Sequence, residues 1–151
     1  MKIEKIEGVS VNVKNLDEAV KLFSDILGIT FVDFTDVPAE KTVTEHADRP
    51  FEQAKTGKGG GMKVALDRAG YMMLIEMDPP LEKEGLRTLR FKVPNLEQAK
   101  AEMKRKGIRL LAEAKVGGMR EAIFSHDDLH GIRLVFQEYE APTLVDAVLQ
   151  K

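Results

Sequence analysis

Two arginines on predicted strands, Arg90 and Arg133, are the residues of this chain best suited to bind an anion. A guanidinium group stays charged and can hold a carboxylate or a phosphate through paired hydrogen bonds. If both arginines faced one concave surface, they could clamp such a group, and Glu76 could balance one charge or act as a base if burial raised its pKa. A structural Arg–Glu pair is the competing interpretation. The elements that position these residues therefore decide what they can do.

The composition excludes several classes of function. The sequence has 23 lysines and arginines against 25 aspartates and glutamates, and this near balance provides no broad positive field for nucleic acid or for an anionic membrane. Because there is no cysteine, disulfides, thiolate metal sites and cysteine nucleophiles are excluded. The first ten residues lack the apolar stretch of a signal peptide, and no apolar run approaches the roughly 20 residues of a membrane span. We expect a cytoplasmic protein whose partner is a small molecule or another protein.

A nearly repeated heptapeptide divides the chain into two halves. The sequences VKNLDEA at residues 13–19 and VPNLEQA at residues 93–99 indicate a duplicated module. In each copy an alternating strand leads to an asparagine, Asn15 or Asn95, which is placed to cap a helix that ends near a glycine. The pattern predicts a single domain built from two βαβββ modules, at residues 1–80 and 81–140, with a helical tail at residues 141–151.

An insertion at residues 36–61 is the main difference between the halves. A structureless connection of this length is uncommon inside a compact domain. Its glycine triplet at residues 59–61 permits wide backbone freedom, so a mobile flap over a pocket is one interpretation. A solvated surface loop is the other.

The chain resembles the vicinal oxygen chelate superfamily in three stretches: IEGVSVNVKNLDEAVKLFSDILGI, LRTLRFKVPNLEQAKAEMKRKGI and FSHDDLHGIRLVFQE. This superfamily includes glyoxalase I, methylmalonyl-CoA epimerase, extradiol dioxygenases and the bleomycin and fosfomycin resistance proteins, and the last stretch is most similar to epimerase-type endings. The resemblance implies an α+β fold in which the curved mixed sheets of two modules enclose a cavity. It also implies a homodimer and, usually, a divalent metal held by four side chains.

The resemblance places the four metal positions at Gly8, Glu76, Thr88 and Val135. Glycine has no side chain, valine has no donor atom, and a neutral threonine hydroxyl is a poor substitute for imidazole. Glu76 alone could bind a metal, so we predict that the protein has no metal cofactor. A misaligned divalent metal site is the alternative, and it would favour the metal-dependent chemistry of the superfamily.

Strand alternation separates two faces of the predicted sheets. One face is entirely apolar, as packing beneath helices requires, and consists of Val9, Val11, Val13, Met73, Ile75, Met77, Leu89, Phe91, Val93, Ile132, Leu134 and Phe136. The resemblance places the other, mixed face in the cavity. The predicted ligand-binding residues on that face are Ser10, Asn12, Met72, Leu74, Glu76, Thr88, Arg90, Arg133, Val135 and Gln137.

These observations predict a protein that sequesters or senses a small, amphipathic, anionic organic molecule in the cavity between its modules, without a metal. Two alternatives belong to other classes of function. One is a metal-dependent lyase, isomerase or dioxygenase of the superfamily, in which Glu76 is the candidate base. The other is a dimerisation module that binds no ligand.

Overall fold

The computed structural model describes residues 1–47 and 62–150. Its strands are β1 (Lys5–Asn12), β2 (Phe31–Asp33), β3 (Glu40–Val43), β4 (Met62–Asp67), β5 (Met72–Met77), β6 (Gly85–Lys92), β7 (Leu110–Val116), β8 (Met119–Phe124) and β9 (Arg133–Glu138). Its helices are α1 (Leu16–Leu27), α2 (Leu96–Arg105) and α3 (Leu144–Val148). None of the helices in the described ranges is long and apolar enough to cross a membrane. This is the α+β architecture that the sequence predicts.

The described strands form one mixed sheet in the order β2-β4-β5-β1-β6-β9-β8-β7-β3. The opening strands of the two halves, β1 and β6, pair antiparallel at its centre, with Ser10 opposite Thr88. Each also pairs in parallel with the last strand of its own half, β1 with β5 and β6 with β9. The polar residues of both opening strands are thereby brought to the middle of the sheet.

The two longer helices begin at the predicted asparagine caps. The side chain of Asn15 accepts a hydrogen bond from the backbone N–H of Glu18 at 3.0 Å, and Asn95 accepts one from Gln98 at 2.9 Å. Such caps satisfy N–H groups that have no partner within the helix. Gly28 then ends α1 in the left-handed region, with φ of 63°.

A carboxylate from the last strand of each half also binds a helix N-terminus. The backbone N–H of Leu16 donates to Oε1 of Glu76 at 2.9 Å, and that of Leu96 donates to Oε2 of Glu138 at 3.0 Å. A negative charge is favourable there because helix N-termini carry a partial positive charge. The two glutamates are therefore equivalent structural residues of the two halves.

The first part of the insertion is a strand and not a structureless loop. Strand β3 pairs antiparallel with β7, with Lys41 opposite Ala114, so a segment of the first half extends the sheet of the second. Alternate residues of the described part of the insertion line a cavity: Val37 and Ala39 before β3, and Lys41 and Val43 within it. The glycine triplet and the rest of residues 48–61 lie outside the described residues, and the flap proposed for them stays a prediction.

Helix α3 contributes to the apolar core and to the wall of the same cavity. It packs in a cluster with Phe34, Leu66 and Met119, and its own residues Leu144 and Val148 line the cavity. The C-terminal segment thus forms part of the structure that encloses a ligand-sized space.

Candidate functional site

A cavity of about 150 Å³ lies between the two halves of the chain. The first half lines it mainly with apolar side chains, among them Phe34, Val64, Leu66, Met73 and Ile75. The second half adds the polar residues Thr88, Arg90, Glu121 and Gln137 among small and apolar neighbours. Since one water molecule needs roughly 10–15 Å³ by a comparable measure, the space suits a ligand of about ten non-hydrogen atoms. The cavity has an apolar side and a polar side.

Arg90 is the most deeply buried charged group of the cavity, with 1% of its surface exposed. Its Nη2 donates hydrogen bonds to the carbonyl oxygens of Gly70 at 2.8 Å and Val9 at 3.2 Å. Its Nε and Nη1 have no hydrogen-bond partner among the described residues. Burial lowers the pKa of Arg90, and the negative charge of Glu121 partly offsets this. Because arginine remains protonated in proteins, Nε and Nη1 of Arg90 are charged hydrogen-bond donors without an acceptor in a desolvated site.

Gln137 and Thr88 bring further unpaired polar atoms to the cavity. The amide Nε2 of Gln137 donates to Oε2 of Glu121 at 2.8 Å across the β8–β9 pair. The other amide atom, Oε1, is buried without a hydrogen-bond partner, as is Oγ1 of Thr88, within the part of the chain that the structure describes. Buried polar atoms are usually paired in proteins, so this group of unpaired atoms makes the cavity a candidate binding site.

Lys41 extends from β3 into the same cavity. Partial desolvation lowers the pKa of Lys41, the negative charge of Glu121 raises it, and the positive charge of Arg87 lowers it. Lys41 is nevertheless an exposed residue, so solvent weakens these effects. Since Glu121 acts on both Lys41 and Arg90, it is the carboxylate that links the two cations electrostatically.

Five of the predicted residues line the cavity: Ser10, Thr88, Arg90, Val135 and Gln137. Asn12 lies at the end of β1, where it accepts a hydrogen bond from Nη1 of Arg87 at 3.5 Å. Nη2 of Arg133 lies 3.4 Å from Nδ1 of His126, and Arg133 is not among the described residues that line the cavity. The structure thus does not bring the two predicted arginines together in the lining of this cavity. Of these two arginines, Arg90 is the one that lines the cavity.

The predicted orientation of β5 is wrong by one residue. Met72 and Leu74 pack against α1, and Glu76 binds the N-terminus of that helix with its Oε2 3.6 Å from Nζ of Lys63. The cavity is lined by Met73 and Ile75 instead. The strand reads MMLIEM and is buried on both sides, so its two faces are similarly apolar and alternation does not distinguish them.

The internal repeat contains a signal that would have given the correct face. The backbone N–H of Val13 donates to the carbonyl of Ile75, and that of Val93 donates to the carbonyl of Gln137, both at 2.9 Å. Ile75 is thus the counterpart of Gln137, and Glu76 is the counterpart of Glu138. Aligning LIEM at residues 74–77 with FQEY at residues 136–139 would have placed Glu76 on the face opposite the predicted cavity residue Gln137, beneath a helix.

Sequence reasoning also missed Lys41 and Glu121. Both follow a period-2 pattern, with Lys41 between the cavity residues Ala39 and Val43, and with Glu121 between Met119 and Ile123. The alternation was present in the sequence, but nothing local indicates which face of an isolated short strand is buried.

Comparison with known proteins identifies the family. Residues 5–136 match the sequence model of the Glyoxalase/Bleomycin resistance protein/Dioxygenase superfamily. The chain belongs to this superfamily. No curated protein matched the sequence.

Solved structures show the glyoxalase-like fold at low sequence identity. A methylmalonyl-CoA epimerase of Streptomyces coelicolor in complex with 2-nitronate-propionyl-CoA is 19% identical, with a TM-score of 0.63 over 93% of this chain and 100% of that one. The Mycobacterium tuberculosis methylmalonyl-CoA epimerase is 20% identical, with a TM-score of 0.63 over 96% of this chain and 93% of that one. A hypothetical protein from Bacillus halodurans is 15% identical, with a TM-score of 0.62 over 92% and 96%. At these identities the similarity concerns the fold alone.

The residues present do not fit the divalent metal of the glyoxalase superfamily. Of the four expected positions, Gly8 and Val135 have no donor atom, Thr88 offers a neutral hydroxyl, and Glu76 is bound to the N-terminus of α1. Within residues 1–47 and 62–150, no group of three or more histidines, aspartates and glutamates could hold a metal ion. The guanidinium of Arg90 adds a fixed positive charge to the cavity, which disfavours a bound metal cation.

Replacing Glu76 by alanine tests whether this carboxylate stabilises the N-terminus of α1 and takes no part in metal or ligand binding. We expect Glu76→Ala to lower the free energy of unfolding by about 1 kcal/mol, because the first N–H of α1 loses its acceptor, and to leave metal content and ligand affinity unchanged. Glu138→Ala is the matched control, with a similar loss at α2. Urea denaturation and metal analysis provide the measurements. Loss of bound metal or ligand in Glu76→Ala, but not in Glu138→Ala, would show that Glu76 belongs to the functional site.

Proposed function

We propose that this protein binds a small carboxylic acid in the cavity between its halves, with Arg90 as the anchor and without a divalent metal. The observation that carries the proposal is the pair of open donors, Nε and Nη1, on a guanidinium that is 1% exposed. Unpaired donors on a buried charged group are costly. A carboxylate would satisfy both donors with charge-assisted hydrogen bonds and would neutralise the charge.

The charges around the cavity support an anionic ligand. The cations Lys41, Arg87 and Arg90 line it together with two carboxylates, Glu113 and Glu121. Oε1 of Glu113 forms a 2.5 Å ion pair with Lys100, which is not a cavity residue, and this contact reduces its effect on the cavity. The lining thus carries more cations than carboxylates, and the buried carboxylates Glu7 and Asp67, outside the lining, offset part of the charge of Arg90. The excess of cations in the lining favours an anion over a cationic molecule.

The apolar side of the cavity supports a ligand with a hydrocarbon body. Leu66, Met73 and Ile75 present side chains without hydrogen-bonding groups, and methionine adapts readily to ligands of different shape. Burying a methylene group contributes about 0.8 kcal/mol. An acid whose carboxylate meets Arg90 and whose chain lies against this wall would use both sides of the cavity.

Titration of the metal-stripped full chain tests the proposal. We expect hexanoate to bind, and hexanol and hexylamine, which have the same chain, to bind far more weakly. At a hundredfold the dissociation constant, hexanoate should increase the free energy of unfolding by about 2.7 kcal/mol. Calorimetry and thermal melts in EDTA measure both effects. Equal binding of the alcohol, or binding of the acid only after Mn²⁺, Ni²⁺ or Zn²⁺ is added, would contradict the proposal.

We also propose that the protein is a homodimer, as the superfamily resemblance implies. The helix α1 leaves Leu22 and Ile26 more than half exposed, at 55% and 60%, which is compatible with a protein contact. Sedimentation velocity of the full chain measures the mass directly. A monomer over the micromolar range would contradict this proposal and would leave the ligand proposal intact.

A further inference from the structure

The orientation of the Gln137 amide is fixed by its neighbour. Glu121 lies directly opposite Gln137 in the β8–β9 pair, and its Oε2 is 2.8 Å from Nε2 of Gln137. A carboxylate accepts hydrogen bonds, so the amide must direct its NH₂ group toward Glu121. Reversing the amide would place two acceptors against each other. The carbonyl oxygen Oε1 is therefore the atom of Gln137 that is left for another partner.

That carbonyl oxygen is a buried acceptor without a donor. Gln137 has 0% exposed surface and lines the cavity, and no described residue donates to its Oε1. A buried acceptor left unpaired is unfavourable, whereas a ligand donor would complete it. The hydroxyl of Thr88 is also buried and unpaired, and it can donate or accept. A ligand that satisfies this site would therefore donate a hydrogen bond to Oε1 of Gln137 as well as accept several hydrogen bonds.

The hydrogen-bond donor of the ligand must lie close to the carboxylate of the ligand. Gln137 and Arg90 lie on the adjacent parallel strands β9 and β6, where Gln137 is paired with Lys92, and Arg90 with Val135. Arg90 and Gln137 are therefore diagonal neighbours on one face of the sheet, at a separation that long side chains bridge. A ligand with its carboxylate on Arg90 reaches Gln137 with a group only a few bonds away.

The charges of the cavity distinguish a hydroxyl from an amine. Three cations, Lys41, Arg87 and Arg90, line the cavity with two carboxylates, Glu113 and Glu121, and Glu113 is paired with Lys100, so an ammonium group beside the bound carboxylate would add to an excess of cations in the lining. A hydroxyl donates the same hydrogen bond without that charge. We infer that the ligand is a hydroxy acid, with its carboxylate on Arg90 and its hydroxyl donating to Oε1 of Gln137. This inference rests on the proposed function, which supplies the carboxylate.

Matched ligands test the inference on the full chain. We expect 2- or 3-hydroxyhexanoate to bind about tenfold more tightly than hexanoate, because only the hydroxy acid pairs the buried acceptor, and 2-aminohexanoate to bind more weakly than either. In Gln137→Met the advantage of the hydroxy acid should disappear while hexanoate still binds. Gln98→Met, at an exposed position of α2, is the control and should retain the advantage.

The outcomes separate this inference from the proposed function. Equal affinity for hexanoate and both hydroxy acids in the unsubstituted protein would overturn the hydroxy-acid inference and preserve the proposal that a carboxylate binds, and this comparison does not depend on the folding of any variant. Tighter binding of the amino acid would assign the donor as an amine and also overturn the inference. Absence of binding by every acid would overturn both. Retention of the hydroxyl advantage in folded Gln137→Met would exclude Gln137 as its acceptor.

Discussion

Replacing Arg90 by methionine should eliminate measurable binding of hexanoate. Methionine retains an unbranched side chain but removes the two unpaired donors, Nε and Nη1, and the charge that a bound carboxylate would neutralise. Loss of one member of a buried, hydrogen-bonded charge pair typically costs about 2–5 kcal/mol, so the affinity should fall by about 30-fold to several thousandfold. Calorimetric titration measures the loss, and near-ultraviolet circular dichroism shows whether the variant remains folded.

Two further arginine variants make this result specific. Arg105→Met removes a charge from an exposed position of α2 and should leave the affinity unchanged. Arg90→Lys keeps the charge but replaces the planar fork with a single point charge, so we expect intermediate affinity. If folded Arg90→Met bound hexanoate as tightly as the unsubstituted protein, the carboxylate could not lie on Arg90, and the proposed function would lose its anchor.

Replacing Gly8 by alanine should destabilise the protein more than any exposed substitution. A Cβ at this position would lie 2.1 Å from the carbonyl oxygen of Tyr71 and 2.6 Å from its carbonyl carbon. That carbonyl accepts the backbone N–H of Val9 at 2.7 Å. Neither atom belongs to a movable side chain, so β1 and β5 would have to separate. We expect a loss of more than about 3 kcal/mol in the free energy of unfolding, measured by urea denaturation.

Gly131→Ala is the matched control for Gly8→Ala. Gly131 has a positive φ of 86° and Gly8 one of 155°, but no atom lies within 4 Å of a Cβ built on Gly131. Alanine at residue 131 therefore bears only the conformational cost of a left-handed backbone, about 1–2 kcal/mol. The excess loss in Gly8→Ala combines the clash with the Tyr71 carbonyl and the different backbone conformation of Gly8. Similar losses in both would show that β1 and β5 tolerate the added carbon atom.

The central strands were predictable because their two faces differ in polarity. Ser10, Thr88 and Arg90 alternate with apolar residues on β1 and β6, so the period-2 pattern assigns their side correctly. Asn15 and Asn95 were predictable as caps because a helix start depends on a few adjacent residues. These features are encoded locally, and the internal repeat supports each of them twice.

The remaining features of the site depend on contacts that are distant in the sequence. The face of β5 is set by its pairing with its neighbours, since its residues are apolar on both sides. The open acceptor of Gln137 exists because Glu121, 16 residues away, fixes the amide. Arg133 was assigned to the cavity by alternation alone, but its position at the start of β9 brings its side chain to His126. Strand alternation predicts the face of the sheet on which each side chain lies. Tertiary contacts determine which residues the end of that side chain contacts.

Strand β3 makes the second half of the chain structurally dependent on the first. By sequence it belongs to the first half, and by hydrogen bonding it is the outer strand of the second. A fragment that starts at residue 81 would leave the edge of β7 unpaired, which invites association with other chains. It would also lack Lys41, a cavity residue. The second half can complete its own sheet only by using a segment synthesised before it, so the repeat no longer consists of two separable units.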